Sequence, residues 1–113
     1  IMCKPGSIRA NHYHLNDWHY MFVLDGEMDY FFFDNQMDKV VYLKLKKNQI
    51  IYTPPKEVHA TYFEMQTTLV VISYLPRDER SYENDTRRVK FIDETNIEIA
   101  KQGKLNCQFE ELK

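Results

Sequence analysis

Cysteine is nearly missing from this 113-residue sequence: only Cys3 and Cys107 occur, near opposite ends. Two thiols make no disulfide framework, so the expectation is two free cysteines in a reducing, cytoplasmic setting. Long apolar runs are lacking, and no secretory signal is visible, so no membrane partner is expected. Nor is there an excess of one charge: 15 Lys and Arg face 17 Asp and Glu, a net charge of −2 with histidines neutral. Nucleic acids and anionic lipids favour basic surfaces, so no nucleic-acid partner is expected either. Glycine (3) and proline (4) are sparse, and no repeat or low-complexity segment stands out. The chain opens on Ile1, which is compatible with a fragment whose first strand is missing.

Aromatic residues are what the sequence does have: eight Tyr, seven Phe and one Trp. With Val, Ile and Thr they suit pleated surfaces, so the composition leans toward β structure. Period-two runs dominate from residue 7 to about 74. HYMFVL (19–24) reads as a strand, Asp25-Gly26 as a two-residue hairpin signal, and EMDYFFF as the return strand. In that return strand Met28, Tyr30 and Phe32 face one way, Glu27 and Asp29 the other. DNQMDK is a polar loop, VVYLKL a strand, KKN a turn and QIIYT a strand. Pro54-Pro55 must interrupt the ladder, because neither proline donates a backbone hydrogen bond. Strands around 58–63 and 67–74 follow. Six or more short strands with close turns predict a single all-β sandwich or barrel over residues 1–90. Residues 91–113 read as a C-terminal extension, packed on the barrel or swapped across it.

Three of the four histidines fall within eight positions: His12, His14 and His19. Residues two apart on a strand share a face, so His12 and His14 present two imidazoles side by side. His19 opens the next strand, and His59 follows the Pro-Pro turn. Four such nitrogens surround one ion if the strands converge, and imidazole suits zinc, copper, iron or nickel. Two readings stand on spacing alone, a metal site or polar residues on a wet strand face.

Longer-range spacing adds a resemblance. Gly6, five residues, His12-Tyr13-His14, four residues, His19, six residues and Gly26 together resemble the first motif of the cupin family. Asn48, Pro54, Lys56, His59 and Phe63 are similar to the second motif in register, with Asn48 and Lys56 at positions where it has glycine. The resemblance covers roughly residues 5 to 75. It implies a double-stranded β-helix, or jelly-roll barrel, and usually a homodimer. It also implies that His12, His14, His19 and His59 hold a divalent transition metal (zinc, iron, nickel or manganese). His19 stands where the family usually has Glu, so the expected site keeps the ion's full charge and favours an anionic ligand.

Further candidates carry weaker signals. Arg9, in IRANHYH, looks like the arginine of sugar-modifying cupins, where a guanidinium would hold a phosphate or carboxylate. Strand parity nevertheless puts Arg9 opposite His12 and His14 unless a bulge intervenes. Tyr30 and Tyr52 are candidate acid–base groups. Trp18 is either a lid or an interface anchor. The run YLPRDERSYENDTRRV offers Arg77, Arg80, Arg87 and Arg88 to phosphates, although its interleaved acids read better as a solvated face. The resulting expectation is a metal-binding enzyme of isomerase or epimerase type, acting on a small-molecule substrate such as a carbohydrate or nucleotide-sugar. A metal-dependent dioxygenase and a non-catalytic binding module are the alternatives.

Overall fold

The structure is a computed structural model that describes residues 1–76, 78–106 and 109–112. Arg77 and Cys107 lie outside the described residues. The first strands are β1 (Met2–Cys3), β2 (Ser7–His14), β3 (His19–Asp25), β4 (Glu27–Asp34) and β5 (Lys39–Lys46). Next come β6 (Ile50–Thr53), β7 (His59–Phe63) and β8 (Thr67–Ser73). The remainder is α1 (Glu79–Asp85), β9 (Thr86–Lys90), α2 (Ile97–Lys101) and β10 (Glu110–Glu111). No described helix is long and apolar enough to cross a membrane.

The strands form two antiparallel sheets, ordered β1-β8-β3-β6 and β10-β9-β2-β7-β4-β5. Apart from the adjacent pairs β4–β5 and β9–β10, consecutive strands alternate between the sheets, so the fold is the jelly-roll sandwich rather than a meander. One consequence corrects the hairpin reading of Asp25-Gly26. β3 pairs with β6 and β8, whereas β4 pairs with β5 and β7, so these residues carry the chain from one sheet to the other. Gly26 is required there on two counts. Its φ is +91°, and a Cβ would stand 2.5 Å from Thr67 Oγ1 and 2.7 Å from the Gln66 carbonyl.

β4 is buried on both faces, which explains its nearly continuous apolar sequence. Met28, Tyr30 and Phe32 point into the barrel with Met21, Val23, Leu45, Phe63 and Leu69. Phe31, from the opposite face, packs with Val40, Val58, Ala60 and Val89 beneath Phe91, Ile92, Ile97 and Ala100. Phe91, Ile92, Ile97 and Ala100, which follow β9, thus cover the outer face of the six-stranded sheet. Asp29, although on that outward face, is buried and pairs with Lys101 of α2 at 3.2 Å. The charged run is partly ordered structure too: Asp78 caps α1 by accepting from the Ser81 N–H at 3.0 Å, and β9 extends the sheet beside β2.

The two cupin-like motifs are visible in the backbone. Gly6 (φ 78°) and Gly26 are left-handed, and so are Asn48 (φ 71°) and Lys56 (φ 68°), the two residues standing where the second motif has glycine. The turn geometry persists although the permissive residue is gone.

Candidate metal centre

The histidines meet because four strand ends converge inside the barrel. His12 and His14 close β2, while His19 opens β3 and His59 opens β7. All four are buried. Ring centroids lie 4.6 Å apart for His12 and His14, 4.8 Å for His12 and His59, and 5.4 Å for His19 and His59. Nitrogens of His12, His14 and His59 lie within 4.8 Å of one another, and His14 and His19 form a second such trio with a carboxylate oxygen of Asp17.

A β-bulge decides where Arg9 goes. Ala10 pairs with Ala60 and His12 with His59, so Asn11 is the extra residue. Ala10 (φ 67°) and Asn11 (φ 55°) absorb the insertion with left-handed backbone. The Asn11 side chain holds it by exchanging two 2.9 Å hydrogen bonds with the Ile92 backbone. The bulge reverses the parity, and Arg9 lines the same cavity as His12 and His14. The parity argument against Arg9 is thus corrected. Its side chain is exposed at the mouth, with Nη1 3.6 Å from the sulfur of Cys3, a buried free thiol.

The two tyrosine candidates go elsewhere. Tyr52 points outward from β6, 44% exposed and packed on Tyr20, because Thr53 and Ile51 take the inward positions. It has no place at the histidines. Tyr30 is fully buried behind His59, its ring stacked at 5.9 Å. Its hydroxyl donates to Glu57 at 2.7 Å and is 2.7 Å from Thr53 Oγ1. Burial, then the Glu57 charge, raise its pKa far above the ordinary tyrosine value. Tyr30 therefore keeps its proton and positions His59. Trp18 stacks on Tyr74 at 5.5 Å, on the outside of the four-stranded sheet, rather than over the cavity.

Other residues enter the site that spacing did not reveal. Tyr82 of α1 places its ring 5.5 Å from His14 and 6.1 Å from His12. Asp85 Oδ2 lies 3.7 Å from His14 Nδ1. Asp17 is buried in the turn before His19 and accepts the Leu75 N–H at 2.8 Å. Asp17 had a visible signal, a carboxylate between two ligand positions. Tyr82 and Asp85 had none, because only the docking of α1 and β9 brings them in.

The electrostatics suit a cation. Burial, followed by the neighbouring His59 and His14, holds His12 down at about 2. Burial likewise holds His59 at about 3, although its bond to a carbonyl works the other way. Imidazoles kept neutral are the form that binds a metal. His59 Nδ1 lies 2.9 Å from the Glu57 carbonyl, a bond that fixes the tautomer and leaves Nε2 as the donor toward the cluster. His12 Nδ1 is buried without a hydrogen-bond partner. Asp17 and Asp85 are buried beside these rings, and among the described residues neither is ion-paired to Lys or Arg. Buried carboxylates call for a counter-charge, and a divalent ion among neutral imidazoles would supply it. The residues fit a metal. Two buried carboxylates, Asp17 and Asp85, thus stand beside the four imidazoles, a feature that the histidine spacing did not reveal.

A cavity of about 90 Å³ adjoins the cluster, lined on its other side by Met21, Phe63, Leu69 and Val71. The model of the family described as Cupin matches residues 1–86. The chain belongs to the cupin family.

Among solved structures this cupin is similar to the capsular polysaccharide assembling protein CapF from Staphylococcus aureus (TM-score 0.67, 18% identity, 77% of this chain and 24% of that one). It is also similar to WlaRA, a TDP-fucose-3,4-ketoisomerase from Campylobacter jejuni (TM-score 0.62, 20% identity, 76% and 63%). A third is a tryptophan-to-phenylalanine variant of the oxalate decarboxylase of B. subtilis (TM-score 0.63, 19% identity, 75% and 22%). This cupin thus spans about a quarter of CapF and under two thirds of the ketoisomerase. At such identities the likeness is one of fold. No curated protein matches by sequence.

Proposed function

We propose that this cupin is a divalent-metal-dependent enzyme acting on a small anionic metabolite. His12, His14, His19 and His59 hold the ion, and Arg9 holds the substrate's anionic group. The observation that carries this reading is the bulge at Asn11, which aims a guanidinium into the cavity that the four histidines line. When bound, the metal supplies Lewis acidity toward a ligand oxygen. Arg9 orients a carboxylate through paired N–H donors at the mouth. Met21, Phe63, Leu69 and Val71 exclude water behind the reacting group. Tyr82 closes the other side over His12 and His14. The cavity holds a few water-sized groups, and away from the histidines, Arg9 and Tyr82 its wall is mostly apolar, with Thr61 the hydroxyl among Met21, Phe63, Leu69 and Val71. This supports a short carboxylic acid in preference to a nucleotide-sugar.

Metal analysis of the purified protein and of His59→Ala tests the ligand set. Retention of a divalent metal by the wild type and its loss from the variant are expected; equal metal content in both overturns the set. Thermal shift with short carboxylic acids tests the substrate class: they are expected to raise Tm in the wild type and not in Arg9→Gln. Iron retained with oxygen uptake would move the reading to a dioxygenase.

The sugar isomerase is a second reading because the Tyr82 ring sits against His14 and His12, a phenol and imidazoles lining one cavity, the groups that move a proton between adjacent carbons. The fold likeness to a ketoisomerase supports it. A Tm shift with a nucleotide-sugar but not with carboxylic acids selects it.

A further inference from the structure

We infer that Asp17 supplies the metal site with the carboxylate that the cupin pattern places where this chain has His19. The inference rests on the metal reading above and adds a ligand to it. Asp17 is 4% exposed, two residues before His19, in the turn joining β2 to β3. One of its carboxylate oxygens lies within 4.8 Å of ligand nitrogens of both His14 and His19. Donors held about 2.1 Å from one ion stand at most about 4.2 Å apart, so small shifts close this trio on a metal.

The turn is held on both sides. Oδ1 of Asp17 accepts the Leu75 N–H at 2.8 Å, and the Asp17 N–H donates to Asp85 Oδ2 at 3.0 Å. Asp85 also accepts the Asn16 N–H at 2.9 Å and lies beside His14. The carboxylate is thus presented by a fixed backbone and has no Lys or Arg counter-ion among the described residues. A dication ligated by Asp17 would carry one formal positive charge, as with the family's glutamate. His19 then adds a ligand rather than replacing the acid.

Affinity for Zn²⁺, by chelator competition, tests this. Asp17→Asn keeps an acceptor for the Leu75 N–H but loses the charge, and binding is expected to weaken by at least 10–100-fold. Asp17→Cys, loaded with Co²⁺, is expected to show a thiolate-to-cobalt charge-transfer band absent from the wild type, which controls for Cys3. Unchanged Zn²⁺ affinity in folded Asp17→Asn, or no new band in Asp17→Cys, overturns the inference. Failure of the wild type to bind Zn²⁺ or Co²⁺ at all overturns the metal reading itself.

Discussion

Two strands each run from one end of the barrel interior to the other, and their inward positions change character on the way. Along β3 the series is His19, Met21, Val23; along β7 it is His59, Thr61, Phe63. Every one of these side chains except Met21 is at most 4% exposed. Burial at the apolar end stabilises the fold, because each side chain leaves water for a packed surround. At the histidine end burial removes polar rings from water, and His12 Nδ1 finds no partner. The same pleat therefore builds a core at one end and, at the other, a cluster of buried imidazoles that a bound cation would stabilise.

Breaking the apolar end should have the largest effect. Phe63→Ala is expected to cost about 3–5 kcal/mol in urea unfolding and to leave metal stoichiometry unchanged. Loss of metal in that variant would show the two ends to be one cooperative unit.

Acid should attack the other end. His12 and His59 have folded pKa values of about 2 and about 3, below the ordinary 6.5. Between these limits the unfolded chain binds protons that the folded chain does not, so stability falls as pH falls. For metal-free protein the loss from pH 6.5 to 5.0 is about 3 kcal/mol, readable as the shift in denaturant midpoint. A flat profile across that range would contradict the burial of these imidazoles.

Tyr30→Phe sharpens the boundary between the two ends, because it removes only the hydroxyl shared by Thr53 and Glu57. A cost of about 1–2 kcal/mol is expected, with weaker metal binding as His59 loses its fixed backing. Metal affinity equal to the wild type would leave Tyr30 a packing residue only.

His12→Leu is expected to do the reverse of a core mutation: metal-free protein gains about 1 kcal/mol, metal binding is lost, and roughly half the acid sensitivity disappears. Lys56→Gly should give the smallest change, a gain of about 0.5–1 kcal/mol, since φ at Lys56 is 68°.

Much of the fold was legible because period-two alternation and turn residues are local. The strands from 19 to 73 stand within a residue or two of where the pattern puts them. The Asp25-Gly26 reading failed on partner choice: the dipeptide does mark a reversal, but the next strand enters the other sheet. The charged run also misled. Its described arginines and its acids other than Asp85 do face solvent, yet Tyr82, Asp85, Thr86 and Val89 are spaced so as to reach inward once α1 and β9 dock. Within the site, the four histidines share one cavity. Tyr52 was lost to simple alternation along β6, and Arg9 was misplaced because parity counting assumes an unbroken strand.

By itself the sequence determined the strand periods, the reversal at Gly26 that needs left-handed backbone, and the gathering of every histidine at strand ends that a jelly roll brings together. These follow from side-chain alternation and from sterics at single residues, which need no distant partner. Only the tertiary structure decided that a bulge pinned by Ile92 turns Arg9 inward and that Asp17 and Asp85 flank the rings. It also decided that Phe91, Ile92, Ile97 and Ala100 fold back over the six-stranded sheet. Those outcomes depend on contacts between residues 58 to 81 positions apart, and no local pattern encodes which distant element will arrive.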